Sequence, residues 1–210
     1  MKNLSWYGPD LTDAEQAAAD ALDLLVRSNE ATAKRVASRT WLVDGVTEDE
    51  SQAVVQIQRL AVINSDAAAD IAILPWFDDS IEEQEWQAVQ HIQTIVKHDP
   101  LLFQTFKRKN WFFDSITVAE AGRLEGLSKI VDPQGNGTGA GVSVASKVVQ
   151  LGWFNSPIVG TYQNQLMSEL ATLLARDITL GARVAGMPFM ADSIESHDVG
   201  LIRTLLELRG

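Results

Sequence analysis

The sequence predicts an all-α fold, an α-solenoid of about five and a half stacked antiparallel helix pairs, on three observations. Tryptophan recurs at a fixed interval, with Trp6, Trp41, Trp76 and Trp111 each 35 residues apart. The words that follow recur with it: Trp41-Leu-Val-Asp-Gly-Val-Thr-Glu-Asp-Glu50, Trp76-Phe-Asp-Asp-Ser-Ile-Glu-Glu-Gln-Glu85 and Trp111-Phe-Phe-Asp-Ser-Ile-Thr-Val-Ala-Glu120. Between these heads the apolar residues keep helical spacing, and no alternating strand pattern occurs.

Trp153 follows Trp111 after 42 residues, and Phe189 heads a sixth unit 36 residues later. The surplus after Trp111 lies in a Gly-rich loop insertion near 133–141, Pro133-Gln134-Gly135-Asn136-Gly137-Thr138-Gly139. Residues 1–210 are thus expected to form a single helical-repeat array: five leader residues, five units of 35 with eight inserted residues, and a 22-residue partial sixth.

Each unit reads as two helices. Thr12-x-x-Glu15, Thr47-x-x-Glu50 and Thr117-x-x-Glu120 are capping boxes, in which hydroxyl and carboxylate each satisfy a backbone N–H at a helix start. Behind them apolar residues repeat on one face: Ala18, Leu22 and Leu25, then Val54, Ile57 and Leu60, then Val89, Ile92 and Ile95, then Leu124, Leu127 and Ile130. In the third unit Ile81 and Trp86 occupy the two positions of a hydrophobic staple. Asn29, Asn64, Asp99, Gly141 and Asp177 then mark the start of a second, shorter helix. Its inward column is Val36, Ile71, Phe106, Val148 and Val184, with Ala33, Ala68, Phe103, Ala145 and Gly181 three residues earlier. Helices this short bury their apolar faces only by stacking on the next pair. The fifth unit is the least regular, lacking a clean capping box and carrying Leu166, Leu170, Leu173 and Leu174 about one place out of register. The sixth stops after one helix, which is either a terminal cap or a sign of a longer chain.

Composition narrows the function. The chain has 46% hydrophobic and 21% charged residues, which suits a folded core. It has no cysteine, which excludes disulfides, thiolate metal sites and Cys nucleophiles. A net charge of −11 argues against binding nucleic acid. No apolar run reaches bilayer length and the first residues lack a signal-peptide core, so the default location is cytoplasmic.

Each candidate site has a structural counter-reading. The tryptophan row could stack on a sugar or peptide, but a plug at each unit junction explains it better. Asp44, Asp78, Asp79, Asp114 and Asp192 could offer carboxylates to calcium, yet turn and cap chemistry accounts for them and no calcium-loop pattern is present. His91 and His98 are seven residues apart, about 10 Å along a helix, too far to share a metal; His197 reads as a solvated side chain. The Gly135–Gly141 run lacks both the Gly-Lys-Ser/Thr ending of a phosphate loop and a strand before it. Lys107-Arg108-Lys109 is the one basic cluster, placed to complement the end of a helix dipole. Neither H-E-x-x-H nor G-x-S-x-G occurs. No catalytic, cofactor-binding or metal-binding residue is therefore assigned, and no cofactor is expected.

The phrase Trp-Phe-x-Asp-Ser-Ile-x-x-x-Glu, with Val184-Ala-Gly-Met-Pro-Phe-Met-Ala-Asp-Ser-Ile194, resembles the tandem helical repeats that precede zinc-metallopeptidase-like domains in large Chloroflexota-type bacterial proteins. The resemblance covers nearly the whole chain and carries over no catalytic residue. It implies an accessory region to a hydrolase whose catalytic domain lies elsewhere. The residues themselves point first to a non-catalytic scaffold that binds a protein or peptide, or positions a neighbouring domain. A carbohydrate- or cation-binding module is the third expectation, and end-to-end self-association through the final helix is a further one.

Overall fold

Caps set the helix boundaries. The computed structural model describes Leu4, Trp6 and residues 8–43, 45–78, 80–113, 115–156 and 160–209. Long and short helices alternate: α1 (Asp13–Ser28) and α2 (Glu30–Val36), α3 (Glu48–Ile63) and α4 (Ser65–Ile71), α5 (Glu83–His98) and α6 (Pro100–Phe106). A one-turn helix, α7 (Asn110–Phe113), carries Trp111; then follow α8 (Val118–Val131), α9 (Val142–Val148), α10 (Thr161–Arg176), α11 (Ile178–Val184) and α12 (Ser196–Leu208). No strand occurs among the described residues, and none of the described helices is long and apolar enough to cross a membrane.

The three Thr-x-x-Glu boxes close as expected. The Glu15, Glu50 and Glu120 carboxylates accept from the N–H groups of Thr12, Thr47 and Thr117 at 2.8–2.9 Å, while each threonine hydroxyl accepts from the glutamate N–H. Where the threonine is missing, the reciprocal half survives. Glu85 accepts from the Glu82 N–H, Gln163 from Gly160 and Asp198 from Glu195, at 2.7–2.9 Å. Gly160 lies seven residues beyond Trp153, whereas Thr12, Thr47 and Thr117 lie six beyond their heads; this places the one-residue slip of the fifth unit before α10.

Long and short helices meet at a single residue. Asn29, Asn64, Asp99 and Asp177 each end one helix and cap the next, their side-chain oxygens accepting from N–H groups two or three residues on. Gly141 differs. It offers no side-chain cap, and its backbone N–H instead donates to the Val131 carbonyl at 3.1 Å. A Cβ there would lie 1.6 Å from the Ile130 carbonyl oxygen, so only glycine lets the inserted loop return beside α8.

Helices pack in sequence order. Each long helix lies against its short partner and against the next long helix: α1 on α3, α3 on α5, α5 on α8, α8 on α10 and α10 on α12. One hydrophobic cluster runs through them all, from Ala18 to Leu206. The tryptophans pin its joints. The indole N–H of Trp6 donates to the Leu42 carbonyl, Trp41 to Phe77, Trp76 to Phe112 and Trp153 to Met190, at 2.6–3.0 Å. In every case the acceptor is the residue just after the next head, and where it is phenylalanine its ring edge also meets the indole, at 5.6 Å for Trp41–Phe77 and 6.0 Å for Trp76–Phe112. Trp41, Trp76, Trp111 and Trp153 are buried, which fits a plug rather than an exposed stacking row. Trp86 stands at the staple position opposite buried Ile81 and also reaches back to α3, donating to Asp49 Oδ1 at 2.9 Å.

Trp111 breaks the rule. The carbonyl it would use, that of Phe154, accepts instead from Arg123 Nη1 at 2.8 Å, and Ser156 accepts from Nη2 at 2.9 Å. Arg123 occupies the column of Ala18, Ala53 and Ala88 and is itself 1% exposed. Burial pushes its guanidinium pKa down to about 10, with Glu120 opposing that shift, so the charge persists at neutral pH.

Candidate functional site

The residues weighed in the sequence separate on the structure. Asp78 pairs with Arg39 at 2.5 Å and Asp192 is exposed; Asp44, Asp79 and Asp114 lie outside the described residues. Among the described residues no group of three or more His, Asp or Glu side chains is placed to hold a metal ion. His91 and His98 both belong to α5 but face different neighbours. His91 Nδ1 lies 3.3 Å from the Ser128 hydroxyl of α8, and burial pushes its pKa down against the raising effect of Glu125. His98 lies against Asp132 and the inserted loop, its nitrogen 3.8 Å from the carboxylate. His197 is exposed at the start of α12, beside Glu195 and Asp198.

The Gly-rich insertion turns back on itself beside His98, and Gln134 ties it to α10 by donating to the Ala175 carbonyl at 3.3 Å. Gly135, Gly137 and Gly139 take φ of 64°, 75° and 61°, the left-handed region that favours glycine. The Gly137 N–H donates to Asp132 Oδ2 at 2.9 Å, and the Thr138 N–H to Asn136 Oδ1 at 3.2 Å. With one N–H turned inward on a carboxylate and another on an amide oxygen, the loop has the wrong polarity for a phosphate cradle.

The basic cluster has a larger role than the end of a helix dipole. Lys107 reaches across to Asp70 of α4, to which Gln104 also donates at 3.3 Å. Around that bridge lies an open cleft of about 250 Å³. Its floor is Leu74 and Phe103, its walls are Ile73 and Phe113, and exposed Arg108 stands on its rim. Ile73 is 56% exposed and Phe113 48%, and Leu101, on the same short helix as Phe103, is 76% exposed. Exposed apolar residues grouped around a concave surface carry more information than scattered ones.

The signal for this cleft is in the repeat columns, at positions that break them. Ile73 stands where the other short helices are followed by Ser38, Arg108, Gln150 and Gly186. Leu101 stands where they carry Ala31, Asp66, Ser143 and Thr179, and Phe113 stands in the column of Val43, Asp78, Asn155 and Ala191. Attention to residues the units share passes over these, because packing fixes the shared ones and leaves the solvent-facing columns free.

Comparison with known proteins gives no match: no family model, no curated protein and no solved structure matches the chain.

Proposed function

We propose that the chain is a non-catalytic α-solenoid scaffold and that the cleft beside Phe113 holds a segment of a protein or peptide partner. The observation that carries this reading is the local change of two solvent-facing columns to Ile73 and Phe113, both lining a cleft with a cationic rim. A partner segment with one large apolar side chain flanked by carboxylates suits it. The side chain would enter between Ile73 and Phe113, and the carboxylates would face Arg108 and Lys109. The rest of the surface, on a chain of net charge −11, repels such a segment and so favours this one place.

Peptide phage display on the immobilised chain tests the reading, with counter-selection on Phe113→Ser and Arg108→Glu. The expected result is enrichment of peptides with an aromatic or leucine residue next to Asp or Glu, which lose binding to both variants. Enrichment of no sequence, or of peptides that bind the variants equally well, overturns it.

A further inference from the structure

The insertion between α8 and α9 has a chemistry of its own. In four other units the long and short helices meet at a single Asn or Asp, whereas here residues 132–141 intervene. None of residues 132–140 joins the hydrophobic core, so packing does not account for the added length.

Asp132, which ends α8, anchors the loop. Its side chain is 10% exposed; Oδ2 accepts from the Gly137 N–H at 2.9 Å and lies 3.8 Å from His98 Nε2, while Oδ1 is buried with no hydrogen-bond partner. A buried carboxylate oxygen without a donor is costly, and a bound cation relieves that cost. Further oxygen donors follow at alternate positions. Asp132, Gln134, Asn136 and the Thr138 carbonyl stand at the first, third, fifth and seventh places from which a calcium loop takes its ligands, and Gly137 stands at the sixth, where such a loop turns sharply. Gln134 is held by its bond to the Ala175 carbonyl and accepts from Asn136 Nδ2 at 2.8 Å, which brings the two amide side chains together.

We propose that this loop binds a calcium ion, with Asp132 Oδ1 as the one anionic ligand, the Gln134 and Asn136 side-chain oxygens and the Thr138 carbonyl as neutral ones, and water completing the shell. Gln134 replaces the Asp or Asn usual at the third place, and Ala140 and Ser143, at the ninth and twelfth, carry no carboxylate. With neutral ligands in the majority, the site is not marked by a cluster of three His, Asp or Glu side chains. A single carboxylate puts the affinity at the weak end of such sites, about 0.1–1 mM. Lys97 opposes binding, since its Nζ lies 3.6 Å from where a Cβ on Gly137 would stand. The loop reaches α5 through His98 and α10 through Gln134, so an ion there ties both to α8. It shares no residue with the cleft at Phe113, and neither reading depends on the other.

Titration of the isotope-labelled chain with CaCl2 at fixed ionic strength, followed by amide NMR, tests the proposal. The expected result is a saturable shift confined to residues 132–141 and their neighbours, with a midpoint of about 0.1–1 mM and weaker binding of MgCl2, because magnesium demands a tighter octahedral shell. Asp132→Asn is expected to weaken binding more than about tenfold, and Lys97→Gln to tighten it about threefold. Asn136→Asp, at an exposed position, adds a second carboxylate and is expected to tighten binding about tenfold. Circular dichroism checks that each variant folds. A Tm raised by CaCl2, but not by NaCl of equal ionic strength, is the accompanying sign. No saturable shift up to about 20 mM CaCl2, well above the range of such sites, overturns the proposal. Shifts scattered over the acidic surface, or Asn136→Asp binding no more tightly than the parent, overturn it equally.

Discussion

Arg123 lies over the ring of Trp111, its guanidinium carbon 4.5 Å from the ring centroid, and takes the backbone acceptor that the other junctions give to tryptophan. The Trp111 indole N–H is left buried without a hydrogen-bond partner. An unsatisfied buried donor costs about 1–3 kcal/mol. The arginine offsets this by holding two carbonyls at once and by its cation–π contact. This junction is thus closed by a side chain from the long helix rather than by its own tryptophan.

Trp76→Phe should therefore destabilise the chain more than Trp111→Phe, by about 1 kcal/mol, because only the first removes a made hydrogen bond. In an Arg123→Ala background the order should narrow, since the Phe154 carbonyl becomes free for the Trp111 indole. Urea denaturation of the single and double variants measures the coupling, and strictly additive values would refute the exchange of partners.

Gly141→Ala should cost more than about 3 kcal/mol or prevent folding, because a Cβ 1.6 Å from the Ile130 oxygen forces α8 and α9 apart. Gly152→Ala is the control, with nothing within 4 Å of its Cβ, and should change stability by about 0.5 kcal/mol or less. Thermal melts of the two variants decide the point.

The all-helical class and the helix boundaries were legible because spacing and caps carry them. Capping boxes at Thr12, Thr47 and Thr117 placed three helix starts, and the double caps at Asn29, Asn64, Asp99 and Asp177 placed the break within four pairs. Gly141 was matched to the right column for the wrong reason, since clearance rather than capping selects it. The exchange between Arg123 and Trp111 was not legible, because an arginine in an alanine column reads as a surface residue until the partner loop is positioned. The cleft was hidden for a different reason: Ile73 and Phe113, which line it, belong to columns that packing does not constrain.

Acid should weaken the fold in two stages. His91 has a depressed pKa in the folded state, so the unfolded chain binds its proton more readily and stability falls as pH drops below the ordinary histidine value of about 6.5. Glu125, held below the usual carboxylate range chiefly by its hydrogen bond from Lys129, adds a second loss as pH falls through the carboxylate range. His91→Gln should remove the first stage and leave the second. Denaturant midpoints measured between pH 8 and pH 4 check this, and a profile unchanged by the substitution counts against it.

Neighbouring phenylalanines should separate stability from binding. Phe112 is fully buried, meeting Trp76, Phe103, Phe106 and Trp111 edge to face and giving its carbonyl to Trp76. Phe112→Ala is expected to cost about 3–5 kcal/mol. Phe113 is half exposed on the cleft wall, so Phe113→Ser should cost about 1 kcal/mol or less while abolishing capture of the selected peptides. Melting and peptide titration on the same samples distinguish the two effects. If Phe113→Ser lowers stability as much as Phe112→Ala, the exposed ring belongs to the packing of the joint and the cleft loses its claim to a partner.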